Sequence, residues 1–218
     1  LLSTRDAARH AAEGGPPIDG ALWSNLAELG FLGITLPGTH GGVDMTLAEE
    51  AIAAEALGRI VAPIPITTAF AAAHILGSSA TPHATRLGQA LAAGEIVVGA
   101  GLSAAEGPAA ALTLVPGDTG DDCLISGIIP DMVDGAGIEV VLVPASGRWW
   151  SIDLSLGGVT RTEIPSLDPT RRLARVEFDG APAKGVSDFP IRRLMSIVQT
   201  LIAAEALGVA QAALDMTR

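Results

Sequence analysis

The sequence predicts an α+β multidomain chain, on three changes of pattern along its 218 residues. Residues 1–94 are rich in Ala and Leu and broken by short Gly/Pro stretches, the pattern of an N-terminal helical domain. Residues 95–188 carry short β-branched runs bounded by Gly, Pro and Asp, which predicts a central antiparallel β-sandwich or barrel. Residues 189–218 return to helical periodicity, predicting the first helix of a C-terminal helical bundle.

Each element has its own signal. In residues 21–29, Leu22, Leu26 and Leu29 recur at spacings of four and three, Trp23 widens the apolar face, and Gly30 stands where a helix ends. Thr46 is a good N-cap for a helix over 47–57, with Glu49 and Glu50 in the first turns to complement the helix dipole and Gly58 to stop it. A third helix is expected over 64–76, with Pro63 and Pro65 at its start, and a fourth over 84–93, stopped by Gly94. Strands are expected at 96–98, 112–115, 123–125, 140–143, 149–152 and 175–178. Acids such as Asp118, Asp121, Asp122, Asp131 and Asp134 mark turns between them. No helical pattern alternates with these strands, which argues against a Rossmann sheet. From Pro190 onward Leu194, Ile197, Val198, Leu201, Ile202, Leu207 and Val209 form a wide apolar face opened by Arg192 and Arg193. A helix this apolar needs partners, so the rest of its bundle is expected to be missing or supplied by another chain.

Composition narrows the function classes. The net charge is −11, from 13 basic and 24 acidic residues, and Lys184 is the one lysine. That balance argues against nucleic-acid binding and against an electrostatic anchor on anionic lipid. Residues 1–13 carry charges throughout and do not read as a signal peptide. Gln199, Glu205, Gln211 and Asp215 interrupt the most apolar stretch, which therefore reads as a core helix, and the expectation is a cytoplasmic protein. A single cysteine, Cys123, excludes an internal disulfide and a multi-thiolate metal site, and it reads as a small buried residue. His10, His40, His74 and His83 lie in separate segments without ligand spacing, so no metal site is expected. Nucleophile-elbow and phosphate-loop patterns are absent. The turn Pro37-Gly38-Thr39-His40-Gly41-Gly42 reads as a helix-to-helix loop, and Trp149-Trp150 as one core and one rim residue. Glu205, on an apolar helix face, is either a base with a raised pKa or an acid paired with a neighbouring arginine.

The order of these features carries a resemblance. Leu22-Trp23, then Leu26-Ala27-Glu28-Leu29-Gly30-Phe31-Leu32-Gly33-Ile34, Pro37 and Gly41-Gly42, resembles the first signature of the acyl-CoA dehydrogenase family. Glu55-Ala56-Leu57-Gly58-Arg59 with Pro63 and Pro65 resembles its next helix, and Leu91-Ala92-Ala93-Gly94 the lead-in to its β-domain. Leu167-Asp168-Pro169-Thr170-Arg171 and Val176-Glu177-Phe178-Asp179 resemble late strands of that domain. Ala203-Ala204-Glu205-Ala206-Leu207-Gly208-Val209-Ala210 resembles the first helix of its C-terminal domain.

The resemblance implies FAD held between the β-domain and the C-terminal bundle, an acyl-CoA substrate and an electron-transfer acceptor. A glutamate takes the α-proton while the β-hydrogen leaves as hydride to the flavin. The family's first flavin segment is matched by Leu102-Ser103-Ala104-Ala105, without its usual acid and proline. The second, an aromatic followed by Ile/Val and a hydroxyl residue, aligns with Met132-Val133-Asp134. Leu102, Ser103, Met132 and Val133 are thus the expected cofactor-binding residues. Of the family's two base positions, one falls on Val198 and the other on a helix that follows this sequence, so no catalytic residue is assigned. Glu205 lies seven residues beyond Val198, about 10 Å along a helix, too far to substitute. The expectation is a flavoprotein subunit, incomplete or partner-dependent, in a homo- or hetero-oligomer with another acyl-CoA dehydrogenase-like chain. Some bacterial members acting on bulky steroid-type acyl-CoA thioesters are similar to this arrangement. The alternative is a non-catalytic binding or scaffold subunit with the same fold and no functional flavin site.

Overall fold

The first helix, α1 (Thr4–Ala12), joins the helical segment that the sequence announces only by composition. The computed structural model describes residues 4–102, 112–117 and 120–217. α2 (Gly20–Glu28) is capped by the Asp19 side chain, which accepts from the Leu22 amide, and it buries Trp23 and Leu26. α3 (Leu47–Arg59) opens with a capping box between Thr46 and Glu49. α4 (Ile66–Gly77) is buried on nearly every side, which is why its sequence, Ile-Thr-Thr-Ala-Phe-Ala-Ala-Ala-His-Ile-Leu-Gly, shows no polar face. It begins two residues later than the sequence suggests, after Pro65. α5 (Pro82–Ala92) begins two residues earlier, because Thr81 caps it and Pro82 fits the first turn.

Seven strands follow: β1 (Val98–Ala100), β2 (Thr113–Pro116), β3 (Asp122–Met132), β4 (Val140–Ala145), β5 (Arg148–Asp153), β6 (Val159–Ile164) and β7 (Leu173–Ser187). Their order is β1-β4-β5-β7-β3-β2, with β6 also on β7. Pairing is antiparallel throughout except between β1 and β4, which run parallel. β7 organises the sheet. β3 runs along one edge of it, while β6 takes the first half of the opposite edge and β5 the second. The β3–β7 register shifts between Ile125 and Gly127, beside Gly180 with φ 62°, where the long strands bend. β6 has no counterpart among the expected strands, because its Val-Thr-Arg-Thr-Glu-Ile faces are both largely exposed and alternation is lost. Trp149 and Trp150 are both buried, at 1% and 7% exposure, so neither is a rim residue. Each indole donates to a backbone carbonyl, Trp149 to Phe189 and Trp150 to Ala145.

α6 (Ile191–Asp215) packs on α3 and α4. Gly58 and Gly208 permit the crossing: a Cβ at either would lie 2.1 or 2.0 Å from the facing carbonyl oxygen of Glu205 or Glu55. By length and composition α6 is also the one helix among the described residues that could cross a membrane. Here its Leu194, Ile197, Val198 and Leu201 join the core, while Ile202, Leu207, Val209, Leu214 and Met216 remain exposed.

Candidate functional site

The polar centre of the molecule lies where α4, the turn after β3, the loop before β7 and α6 meet. Arg171 is its hub. Its guanidinium donates to Asp134 Oδ2 at 3.0 Å, to Glu205 Oε1 at 2.6 Å and to the Ile64 carbonyl at 3.1 Å. Two threonines at the start of α4 complete the cluster, Thr67 donating to Glu205 at 3.0 Å and Thr68 to Asp134 at 3.3 Å. Asp134 adopts a left-handed backbone, φ 57°, which Asp tolerates better than most residues. Its carbonyl accepts from the Gly137 and Ile138 amides, closing the turn.

Electrostatics distinguishes the members. Burial pushes the Asp134 carboxyl above its ordinary range and the Glu205 charge adds to this, against the opposing pull of Arg171 and the Thr68 hydrogen bond. Burial works against the Arg171 charge too, but its two carboxylates outweigh that and hold the guanidinium firmly protonated. Glu205 is therefore the arginine-paired acid of the two sequence readings, not a free base.

The expected cofactor residues divide. Leu102 is partly buried just past β1, and Val133 is 37% exposed. Met132 is fully buried, its Cε beside Gly135, and presents no surface for a ring. Ser103 lies outside the described residues. The two segments do converge through α4. Thr68 Oγ1, bound to Asp134, sits 3.5 Å from where a Cβ at Gly99 would stand, and Leu102 follows Gly99 by three residues, roughly 10 Å of extended chain. Val198, at the family's base position, is 2% exposed in the core.

Other candidates resolve as structure. His40 is buried in the glycine-rich turn, where its Nε2 pairs with the Ser79 carbonyl at 2.9 Å. A Cβ at Gly42 would stand 2.0 Å from the Leu36 carbonyl oxygen, so backbone packing accounts for that glycine. The Cys123 thiol is buried and its pKa is raised to about 11, first by burial and then by Asp122, which leaves it unreactive. Among the described residues no group of three or more His, Cys, Asp or Glu side chains could hold a metal.

Sequence reasoning did not find Arg171 as a hub, nor Thr67 and Thr68. Their partners lie 34 to 138 residues away, and no local spacing announces such contacts.

Comparison with known proteins agrees with the layout. Residues 3–95 match the acyl-CoA dehydrogenase N-terminal domain. Acyl-CoA dehydrogenase FadE34 of Mycobacterium tuberculosis is 27% identical over 194 residues, 89% of this chain and 25% of that protein. Acyl-CoA dehydrogenase IpdE2 of the same organism is 28% identical over 207 residues, 91% of this chain and 52% of that protein. This chain therefore spans only a quarter to about half of the curated relatives it matches. Among solved structures, the Tcur3481–Tcur3483 steroid ACAD superposes with TM-score 0.84 at 27% identity, covering 98% of this chain and 62% of that one. The ChsE4–ChsE5 complex from M. tuberculosis gives TM-score 0.80 at 22% identity, over 96% and 59% of the two chains. The ordered sequence signatures, the helical–β–helical layout and these matches agree: residues 3–95 match an acyl-CoA dehydrogenase N-terminal domain, and the chain as a whole is similar to acyl-CoA dehydrogenases.

Proposed function

We propose that this chain is a subunit of an FAD-dependent acyl-CoA dehydrogenase that works in the cytoplasm with a companion chain. The reaction is α,β-dehydrogenation of an acyl-CoA thioester, with the glutamate base lying outside residues 1–218 and the electrons passing to an electron-transfer acceptor. The helical unit 1–94, the β unit 95–188 and the helix from 189 are its working parts. The observation that carries this reading is α6. One side of it is packed on α3 and α4, while Ile202, Leu207 and Val209 on the other stand 52%, 56% and 43% exposed and await further helices. The likeness to proteins titled as a ChsE4–ChsE5 complex and a Tcur3481–Tcur3483 steroid ACAD supports a hetero-oligomer and a bulky, steroid-type acyl group.

The residues present fit one side of a flavin. Leu102, partly buried, and Val133, 37% exposed, would offer it apolar contact, while Met132 is buried. The Asp134 carboxyl is already committed to Thr68 and Arg171, so it is not free to contact the ring. FAD, when bound, supplies the hydride acceptor for the β-hydrogen. Val198 keeps the family's base position apolar and dry, so this chain's own residues move no proton there. Co-expression with an acyl-CoA dehydrogenase-like companion chain tests the proposal. The purified complex should be yellow and an acyl-CoA should reduce it; a colourless complex inert to acyl-CoA substrates overturns it.

A second reading, a non-catalytic subunit with the same fold, is favoured by the inward turn of Met132 and the closed Asp134–Arg171 pair. It predicts a complex in which this chain contributes stability but no flavin contact.

A further inference from the structure

A separate cavity of about 400 Å³ lies between α5 and the sheet, at the opposite end of β3 from Asp134. That volume falls in the range of small-molecule sites, about 300–1,000 Å³. Leu87, Cys123, Leu124, Val140, Leu156 and Ala183 form its apolar walls. Its polar groups are His83, Ser151, Asp122, Asp153 and Lys184.

The hydrogen bonds assign their roles. Ser151 Oγ donates to the Lys184 carbonyl at 3.3 Å, so it receives the His83 Nε2–H at 2.7 Å. A neutral imidazole that donates from Nε2 keeps a bare lone pair on Nδ1. Nδ1 has no hydrogen-bond partner among the described residues. Burial first, and then the positive charges of Lys184 and Arg86, lower the His83 pKa against the opposing influence of Asp122, favouring this neutral form. Charge completes the specification. Lys184 is drawn to Asp122 at 4.0 Å, and Asp153 binds the Ser155 amide and hydroxyl, so the lining carries one net negative charge. An anionic headgroup meets repulsion here, and an uncharged hydrocarbon leaves the imidazole acceptor unpaired.

We infer that this cavity binds an uncharged, mainly hydrocarbon molecule bearing a hydroxyl, which donates its hydrogen bond to His83 Nδ1. The walls remove the hydrocarbon from water and the imidazole selects the alcohol. The site stands independently of the flavoprotein reading, since it shares no residue with the Arg171 cluster or the α6 face.

Calorimetric titration of the full chain at pH 8 with 1-octanol and with octanoate tests the inference, alongside nitrogen-15 NMR of the His83 ring. Saturable 1:1 binding of 1-octanol is expected, with octanoate at least about tenfold weaker and a shift of the bare Nδ1 resonance on octanol binding. His83→Phe should weaken octanol at least about tenfold while leaving the Ser151–Lys184 hydrogen bond in place. No saturable octanol binding, equal binding of octanoate, or an unmoved Nδ1 resonance overturns the proposal. The wild-type titrations and spectra decide the matter even where the His83 variant fails to fold.

Discussion

Arg171 is the residue on which most of the buried charge depends. It serves two carboxylates whose side chains are 7% and 21% exposed, so removing it leaves both without a counter-ion. Arg171→Gln should destabilise the chain by about 3–5 kcal/mol, read from urea unfolding midpoints at constant slope. Asp134 adds a pH signature. Its native carboxyl keeps its proton above the ordinary value of 3.8, so the unfolded state binds fewer protons across that window. Stability therefore falls as pH rises from 3.8 through the raised native value, and is flat above it. Asp134→Asn should lack this slope, its unfolding free energy gaining on the wild type as pH rises; parallel profiles would refute the assignment. None of this could be read locally. Asp134 is an ordinary turn acid in the sequence, and Arg171 one member of a Leu-Asp-Pro-Thr-Arg motif.

At the scale of elements, helix signals in the sequence were reliable where they were local. Thr46 caps α3 as its local chemistry predicts, whereas the helix expected over 84–93 begins at Pro82, with Thr81 as its cap. Packing between elements is another matter. Gly58 is legible as a helix stop, yet it lies inside α3, where its missing Cβ lets α6 approach. Gly58→Ala should force the two helices apart and cost about 1–3 kcal/mol, measured by thermal unfolding, with Gly208→Ala behaving alike. An alanine at an exposed helical site would instead stabilise, so a rise in Tm at either position would show that the crossing is loose. Strand β6 escaped because its side chains are exposed on both faces, and period two is visible only when one face is buried.

At the scale of the molecule, the exposed side of α6 is the surface through which the proposed assembly would form. Ile202→Glu lies on that side, so the isolated chain should change in stability by no more than about 0.5 kcal/mol. The same substitution should abolish assembly with the companion chain in sedimentation experiments, because it places a charge in an apolar interface. Unimpaired assembly would locate the interface elsewhere. By itself the sequence determined the helical–β–helical order, the Thr46 cap and the family signatures, because these depend on neighbours a few residues apart. Only the tertiary structure decided that Glu205 is paired, that Met132 turns inward, that both tryptophans are buried and that His83 faces Ser151. Those outcomes rest on contacts between residues far apart in the chain, whose energies exist only once folding has brought them together and removed the water between them.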